Sequence, residues 1–96
     1  MCFNDIIAVY VYQAALHRGI RIPEEFSLTG FDNSPVRTLL DRRIDSVDLG
    51  VDELGARSAR WLYRRIIDRS EEPISDCATP KYVAGDTLAT ALHDRK

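Results

Sequence analysis

The order of apolar and polar positions lays out the elements of this chain before any composition is counted. Met1, Cys2 and Phe3 read as the stub of a strand, and Asn4 then stands where a helix N-cap belongs. Apolar residues run almost unbroken from Ile6 to Leu16, and Gly19 follows at the position that favours a left-handed residue. Together these predict a helix over residues 5–18. Ile20, Ile22 and Pro23 read as an extended connector, and residues 26–31 as a short strand ending at Asp32. Ser34-Pro35 pairs a cap with a proline at the first helical position, which predicts a brief helical stretch through Leu40. Residues 44–49 read as another strand. The clearest periodicity lies in residues 51–68, where Val51, Leu54, Ser58, Ala59, Leu62 and Ile66 share one helical face. Arg57, Arg60 and Arg64 occupy the opposite face. Residues 74–79 and 82–84 read as two short strands around Pro80. The order β-α-β-(α)-β-α-β-β predicts an α/β domain with a mostly parallel sheet and flanking helices.

One feature does not suit a self-sufficient domain. At 100° per residue the first helix is apolar nearly all round, interrupted only by Gln13, His17 and Arg18. A helix of that kind needs cover on more than one side. The sheet of a small α/β domain covers one side; a partner or another part of the same protein must cover the other. Ala56, Tyr63 and Ile67 form a second, smaller apolar stripe on the later helix and repeat the hint.

Composition narrows the class. Ninety-six residues allow one domain. With 13 basic and 15 acidic residues and a net charge of −2, the chain lacks the clustered positive excess that phosphate contacts need. The longest apolar run is far short of a membrane span, no secretory signal is visible, and a cytoplasmic protein is expected. Cys2 and Cys77 cannot build a disulfide framework, and reduced, buried thiols are expected. No ligand-spaced Cys or His set is present, so neither a metal nor a cofactor is expected. There is no nucleophile elbow and no glycine-rich phosphate loop, and the chain is not read as an enzyme.

Longer patterns point to a family. Phe3-Asn4-Asp5, Ala8, Ala14-Ala15-Leu16 and the unbroken block from Gly19 to Pro35 resemble the C-terminal sensing region of LacI/GalR-family transcriptional regulators. The pattern continues through Ser46-Val47, Val51-x-Glu53-Leu54-Gly55 and the arginine-rich helix, and closes on Pro80-x-Tyr82-Val83-x-Gly85-x-Thr87. The resemblance covers residues 1–88. It implies the C-terminal portion of a type I periplasmic-binding-protein-like fold. Residues 1–49 would then belong to the C-terminal lobe, 51–69 to a helix crossing to the N-terminal lobe, 74–88 to closing strands, and 89–96 to a tail. The DNA-binding headpiece would be absent, and operator DNA would be met only through it. The resemblance also implies a homodimer contact through the first helix, with Ile6, Val9, Tyr10, Gln13 and Leu40 as its residues.

Asn4 and Asp32 are the candidate binding residues. Each follows a predicted parallel strand, and ligands of doubly wound sheets bind outside the carboxyl ends of strands. A carboxylate with an amide suits a carbohydrate, because one accepts from hydroxyls and the other both donates and accepts. Matching positions in the family contact the small-molecule effector. Helix capping is the competing reading for Asn4, and a self-bonded turn for Asp32. Asp5 is placed in the first helical turn, complementing its dipole. The arginines of the later helix read as a solvated face, with Trp61 within reach of Arg57 and Arg65. Tyr10, Tyr12 and Tyr63 read as packing residues. The leading function is therefore the effector-sensing and dimerisation part of a sugar-responsive regulator. A transport-linked sugar-binding protein and a truncated, non-sensing interaction fragment are the alternatives.

Overall fold

The computed structural model describes residues 1–69, 71, 73 and 75–91. Its elements are helix α1 (Asp5–His17), a 3-10 turn (Pro35–Thr38), strand β1 (Ser46–Asp48), helix α2 (Val51–Ile67) and strand β2 (Lys81–Val83). The chain divides into two compact units, one of Met1–Asp48 with the chain from Lys81, the other of Leu49–Pro80.

In the first unit, both ends of α1 follow local chemistry. Asn4 is extended at φ −151, and its side-chain oxygen accepts from the Ile7 amide at 2.9 Å. At the other end Gly19 sits at φ 71, with the Ile20 amide on the Ala15 carbonyl and the Gly19 amide on the Leu16 carbonyl. That is a Schellman closure, which needs a left-handed residue at Gly19. The connector beyond it is not extended. Residues 22–25 turn, closed by the Glu25 amide on the Arg21 carbonyl at 2.8 Å, with a cis Ile22–Pro23 peptide inside the turn. Ser34 caps the 3-10 turn through its hydroxyl, with Pro35 at the first position.

The core is small: Ala8, Tyr12 and Ala15 from α1 meet Ile22, Leu28 and Ile44. Cys2, Val9, Val11 and Leu40 pack partly against it. The tyrosines divide accordingly. Tyr12 is buried, whereas Tyr10 and Tyr63 are exposed and pack little. The thiols also depart from expectation, Cys2 being half-buried and Cys77 exposed.

The assigned sheet is two-stranded and antiparallel, pairing β1 with β2 in the register Ser46–Val83, Val47–Tyr82 and Asp48–Lys81. A mostly parallel sheet is not formed by the described residues. Parallel pairing takes the form of the Thr29–Asp45 bridge and backbone bonds beside it, Gly30 N to Asp45 O and Asp32 N to Val47 O. Residues 2–5 join the other edge through Cys2 N to Thr29 O and Asp5 N to Phe31 O. The ladder stops for a visible reason. The buried Thr87 hydroxyl donates to the Leu28 carbonyl at 2.7 Å and accepts from the Asp45 amide at 2.9 Å, taking both groups that the next rung would use. Asp45, itself buried, accepts from the Thr87 amide and from the Tyr82 hydroxyl. The closing strand is Lys81–Val83; residues 75–79 are not strand, and Ile74 and residues 92–96 lie outside the described residues.

In the second unit, α2 begins at Gly50, which is left-handed at φ 63 and gives no side-chain cap. Asp52 and Glu53 in its first turn complement the dipole instead. Arg57 pairs with Asp76 at 3.3 Å and Arg60 with Glu53 at 3.6 Å, so part of the arginine face is neutralised locally. No residue of α2 is buried among the described residues. Among those residues no helix is long and apolar enough to cross a membrane.

Candidate functional site

The carboxyl ends of residues 2–5, 28–32 and 45–48 lie side by side, bonded through backbone, and the polar groups of interest gather there. Asn4 and Asp32 are neighbours across the bond from the Asp5 amide to the Phe31 carbonyl, 3.0 Å. The Asn4 side chain caps α1 with its oxygen, which leaves the amide NH2 without a partner among the described residues. Asp32 is exposed, and its carboxylate makes no bond to its own turn. Asn4 thus caps α1 with its oxygen and keeps its NH2 available, and the self-bonded reading of Asp32 does not hold.

Asp32 stands at φ 103 and Asn33 at φ 52, both in the region that glycine favours. Such conformations cost on the order of 1–3 kcal/mol and persist where surrounding bonds over-determine them. Four contacts do so here. The Asn33 amide donates to the Ser46 hydroxyl at 3.0 Å, and the Ser34 amide to the Asp5 carboxylate at 2.6 Å. The Asn33 side chain accepts from Arg37 at 3.3 Å and donates to Asp48 at 3.1 Å. Arg37 is buried and spends its other donors on the Ile44 and Ala84 carbonyls at 2.7 and 3.0 Å.

Sequence reasoning names Asn4 and Asp32 as candidates but misses this frame. Asp5 was read as a dipole partner only, and Arg37, Ser46 and Thr87 were given no role. The available signal was Gly30. A Cβ there would run into the Asp5 carboxylate and lie 3.0 Å from its Cα, so a glycine facing Asp5 marks a close approach.

A second concavity of about 250 Å³ lies at the far end of α1, lined by Tyr12, Ile20, Ile22, Asp41 and Arg42 among others. Its polar groups are already committed. The Tyr12 hydroxyl donates to Asp41 at 2.9 Å, and Arg42 bonds Glu24 at 3.0 Å and the Ile22 carbonyl at 2.7 Å. Burial, then the hydrogen bond to Asp41, pushes the Tyr12 hydroxyl above its ordinary pKa. Glu24 is held below the usual range by a bond from its own backbone amide and then by Arg42. Among the described residues, no group of acidic, His or Cys side chains is placed to hold a metal.

The site has a family context. Residues 1–88 match the Periplasmic binding protein-like domain family. The chain belongs to that family, in the form found in LacI-family regulators. It is similar to the HTH-type transcriptional repressor PurR of Pasteurella multocida (strain Pm70), 32% identical over 71 residues that cover 74% of this chain and 21% of that protein. The Arabinose metabolism transcriptional repressor of Geobacillus stearothermophilus is 26% identical over 76 residues, covering 79% of this chain and 21% of that protein. A crystal structure of a LacI-family transcriptional regulator from Silicibacter pomeroyi superimposes with a TM-score of 0.73 at 31% identity, over 88% of this chain and 26% of that one. This periplasmic binding protein-like domain thus spans about a quarter of the length of the relatives it matches. Those relatives are transcriptional regulators.

Proposed function

We propose that these residues form one wall of the effector site, and part of the dimer contact, of a cytoplasmic LacI-type transcriptional regulator. The effector is a carbohydrate. The observation that supports this most is the pairing of an Asp32 carboxylate, on a turn held in a costly conformation, with the amide NH2 of Asn4 beside it, both without a partner among the described residues. Acceptor and donor face solvent at the carboxyl ends of adjoining parallel segments, where ligands of such sheets bind, and both match the hydroxyls of a sugar. The name of the arabinose metabolism relative is in keeping with that class.

The mechanism is a population shift. Effector held between two lobes favours one lobe arrangement and so repositions the DNA-binding headpieces, which lie outside these residues. Homodimerisation runs through α1, where Ile6, Tyr10 and Gln13 are exposed and Val9 is partly covered by the core, and includes Leu40 beyond the 3-10 turn, likewise partly covered. The similarity to repressors favours this reading over a transport-linked sugar-binding protein; an upstream helix-turn-helix or an upstream signal peptide separates the two.

The test is Asp32→Ala in the full-length regulator. The effector response is expected to vanish in a reporter assay while operator binding is retained. The isolated 96-residue chain, with one wall only, is expected to bind monosaccharides at millimolar affinity or more weakly in calorimetry, since solvated hydrogen bonds are worth ~1 kcal/mol each. A normal response from the Asp32→Ala protein, or micromolar binding by the short chain, places the site elsewhere.

A further inference from the structure

We infer that Asp5 is a positioning residue of the effector site: a buried carboxylate that never meets the ligand but holds the Asp32–Asn33 turn in its binding conformation. This rests on the reading of Asn4 and Asp32 as the effector wall. Asp5 is fully buried, and no basic side chain among the described residues pairs with it. Its charge is met instead by hydrogen-bond donors and by the N-terminus of α1. One oxygen accepts from the Ser34 amide at 2.6 Å, immediately after the strained pair. The other accepts from the Ser46 hydroxyl at 2.8 Å, and that hydroxyl's oxygen accepts in turn from the Asn33 amide at 3.0 Å. Asp5 therefore grips the turn twice, once directly and once through Ser46.

The backbone of Asp5 completes the arrangement. Its amide is bonded to the Phe31 carbonyl at 3.0 Å, and its chain neighbour is Asn4. One residue thereby sets the relative placement of both ligand-facing groups, Asn4 by covalent continuity and Asp32 through the turn. Gly30 makes room for this, since any Cβ at that position would overlap the Asp5 side chain. A residue needed only for the helix dipole would remain at the surface, where the first turn is most easily solvated. Complete burial with both oxygens aimed at one turn is not explained by the dipole.

The geometry gives separable outcomes for two substitutions. In Asp5→Ala, the Ser34 amide loses its acceptor and the Ser46 hydroxyl loses its anchor, while the Asn33 amide can still meet Ser46. In Ser46→Ala, the direct bond to Ser34 remains and only the relayed bond to Asn33 goes. Hydrogen exchange resolved at single amides in the full-length protein reads the difference, with the Leu54 amide, bonded to the Gly50 carbonyl, as an internal reference. Ser46→Ala is expected to speed exchange at Asn33 about tenfold and to leave Ser34 near the wild-type rate. Asp5→Ala is expected to speed exchange at Ser34 by that factor relative to Leu54. Equal acceleration of all amides, or none at Asn33 in Ser46→Ala, overturns the inference, and the second variant decides if the first does not fold.

A functional arm uses a panel of aldopentoses and aldohexoses in the reporter assay. Asp5→Ala is expected to raise the half-maximal dose about tenfold with operator affinity unchanged; an unchanged dose with a loosened turn removes the positioning role. If Asp32→Ala responds normally, the site reading fails, whereas the exchange rates still report whether Asp5 holds the turn.

Discussion

Helix α1 and helix α2 reverse what their sequences promise. α1 is apolar nearly all round and has little amphipathic contrast, yet it is anchored: Asp5, Ala8, Tyr12 and Ala15 are buried on one face. α2 has the clean periodic stripe, yet none of its residues is buried, and Leu62, Tyr63, Ile66 and Ile67 all stand well exposed. Periodicity reports that a helix will form and which side wants cover. It does not report that the cover belongs to the same chain. α1 finds a floor in Ile22, Leu28 and Ile44, whereas the stripe of α2 is left open among the described residues.

The sharpest break of that comparison is by truncation on each helix. Tyr12→Ala removes a buried aromatic and its bond to Asp41, and is expected to cost about 3–5 kcal/mol in denaturant unfolding of the 96-residue chain. Leu62→Ala, although it removes as apolar a side chain, is expected to stay within about 0.5 kcal/mol. A large loss at Leu62 means that α2 is covered after all.

Glycines give the next contrast. Gly30→Ala drives a Cβ into Asp5 and is expected to cost about 1–3 kcal/mol. Gly55→Ala meets nothing within 4 Å on α2 and is expected to stabilise by up to about 1 kcal/mol, because alanine is the better helix former. If Gly30→Ala also stabilises, the close approach fails, and if Gly55→Ala also destabilises, the open face fails.

What was legible beforehand follows the same line. The Asn4 cap, the Gly19 closure and the Ser34-Pro35 start could all be read, because each is settled within a few residues. The frame around Asp32 could not. It rests on the Ser34–Asp5 bond between residues 29 apart and on the Ser46–Asp5 bond between residues 41 apart. Asp5 looks the same in the sequence whether it faces solvent or the turn, since an acidic first turn satisfies the dipole either way. The parallel sheet was legible only in part for a related reason: the strand-like pattern of residues 26–31 suggests pairing but cannot foresee the Thr87 hydroxyl occupying a rung. Asn4 and Asp32 themselves were visible through the family resemblance and through their place after strand-like segments, and the unpartnered state of Asp32 emerged only with the fold.

Association separates the two exposed surfaces. The isolated chain is expected to self-associate at tens of micromolar, roughly the range of a weak interface. Tyr10→Asp, on the open face of α1, is expected to weaken this about tenfold in sedimentation. Val9 is a poorer probe, because it packs partly against the core. If Leu62→Glu on α2 has the larger effect, the dimer contact does not run through α1.

The smallest effect is electrostatic, and it again sets the anchored unit against α2. Glu24 is held below its usual 4.5 by its own backbone amide and by Arg42, which is raised in turn. A carboxylate depressed in the fold contributes stability that is complete above the unfolded value and is lost as pH falls through the folded one. Thermal unfolding followed from about pH 7 down to about pH 3 is therefore expected to show an acid limb that Glu24→Gln flattens. At the alkaline end, the raised Tyr12 hydroxyl contributes stability that is complete below 10.0 and is lost as pH climbs through its higher folded value, so Tyr12→Phe flattens that limb. On α2 the exposed Glu53–Arg60 pair, at 3.6 Å, is the control. Open pairs of this kind add almost nothing, since solvent screens them and both side chains lose freedom. Glu53→Gln is accordingly expected to leave the acid limb unchanged. If it flattens that limb as much as Glu24→Gln does, α2 is tied into the cooperative unit, and the contrast between the two helices is lost.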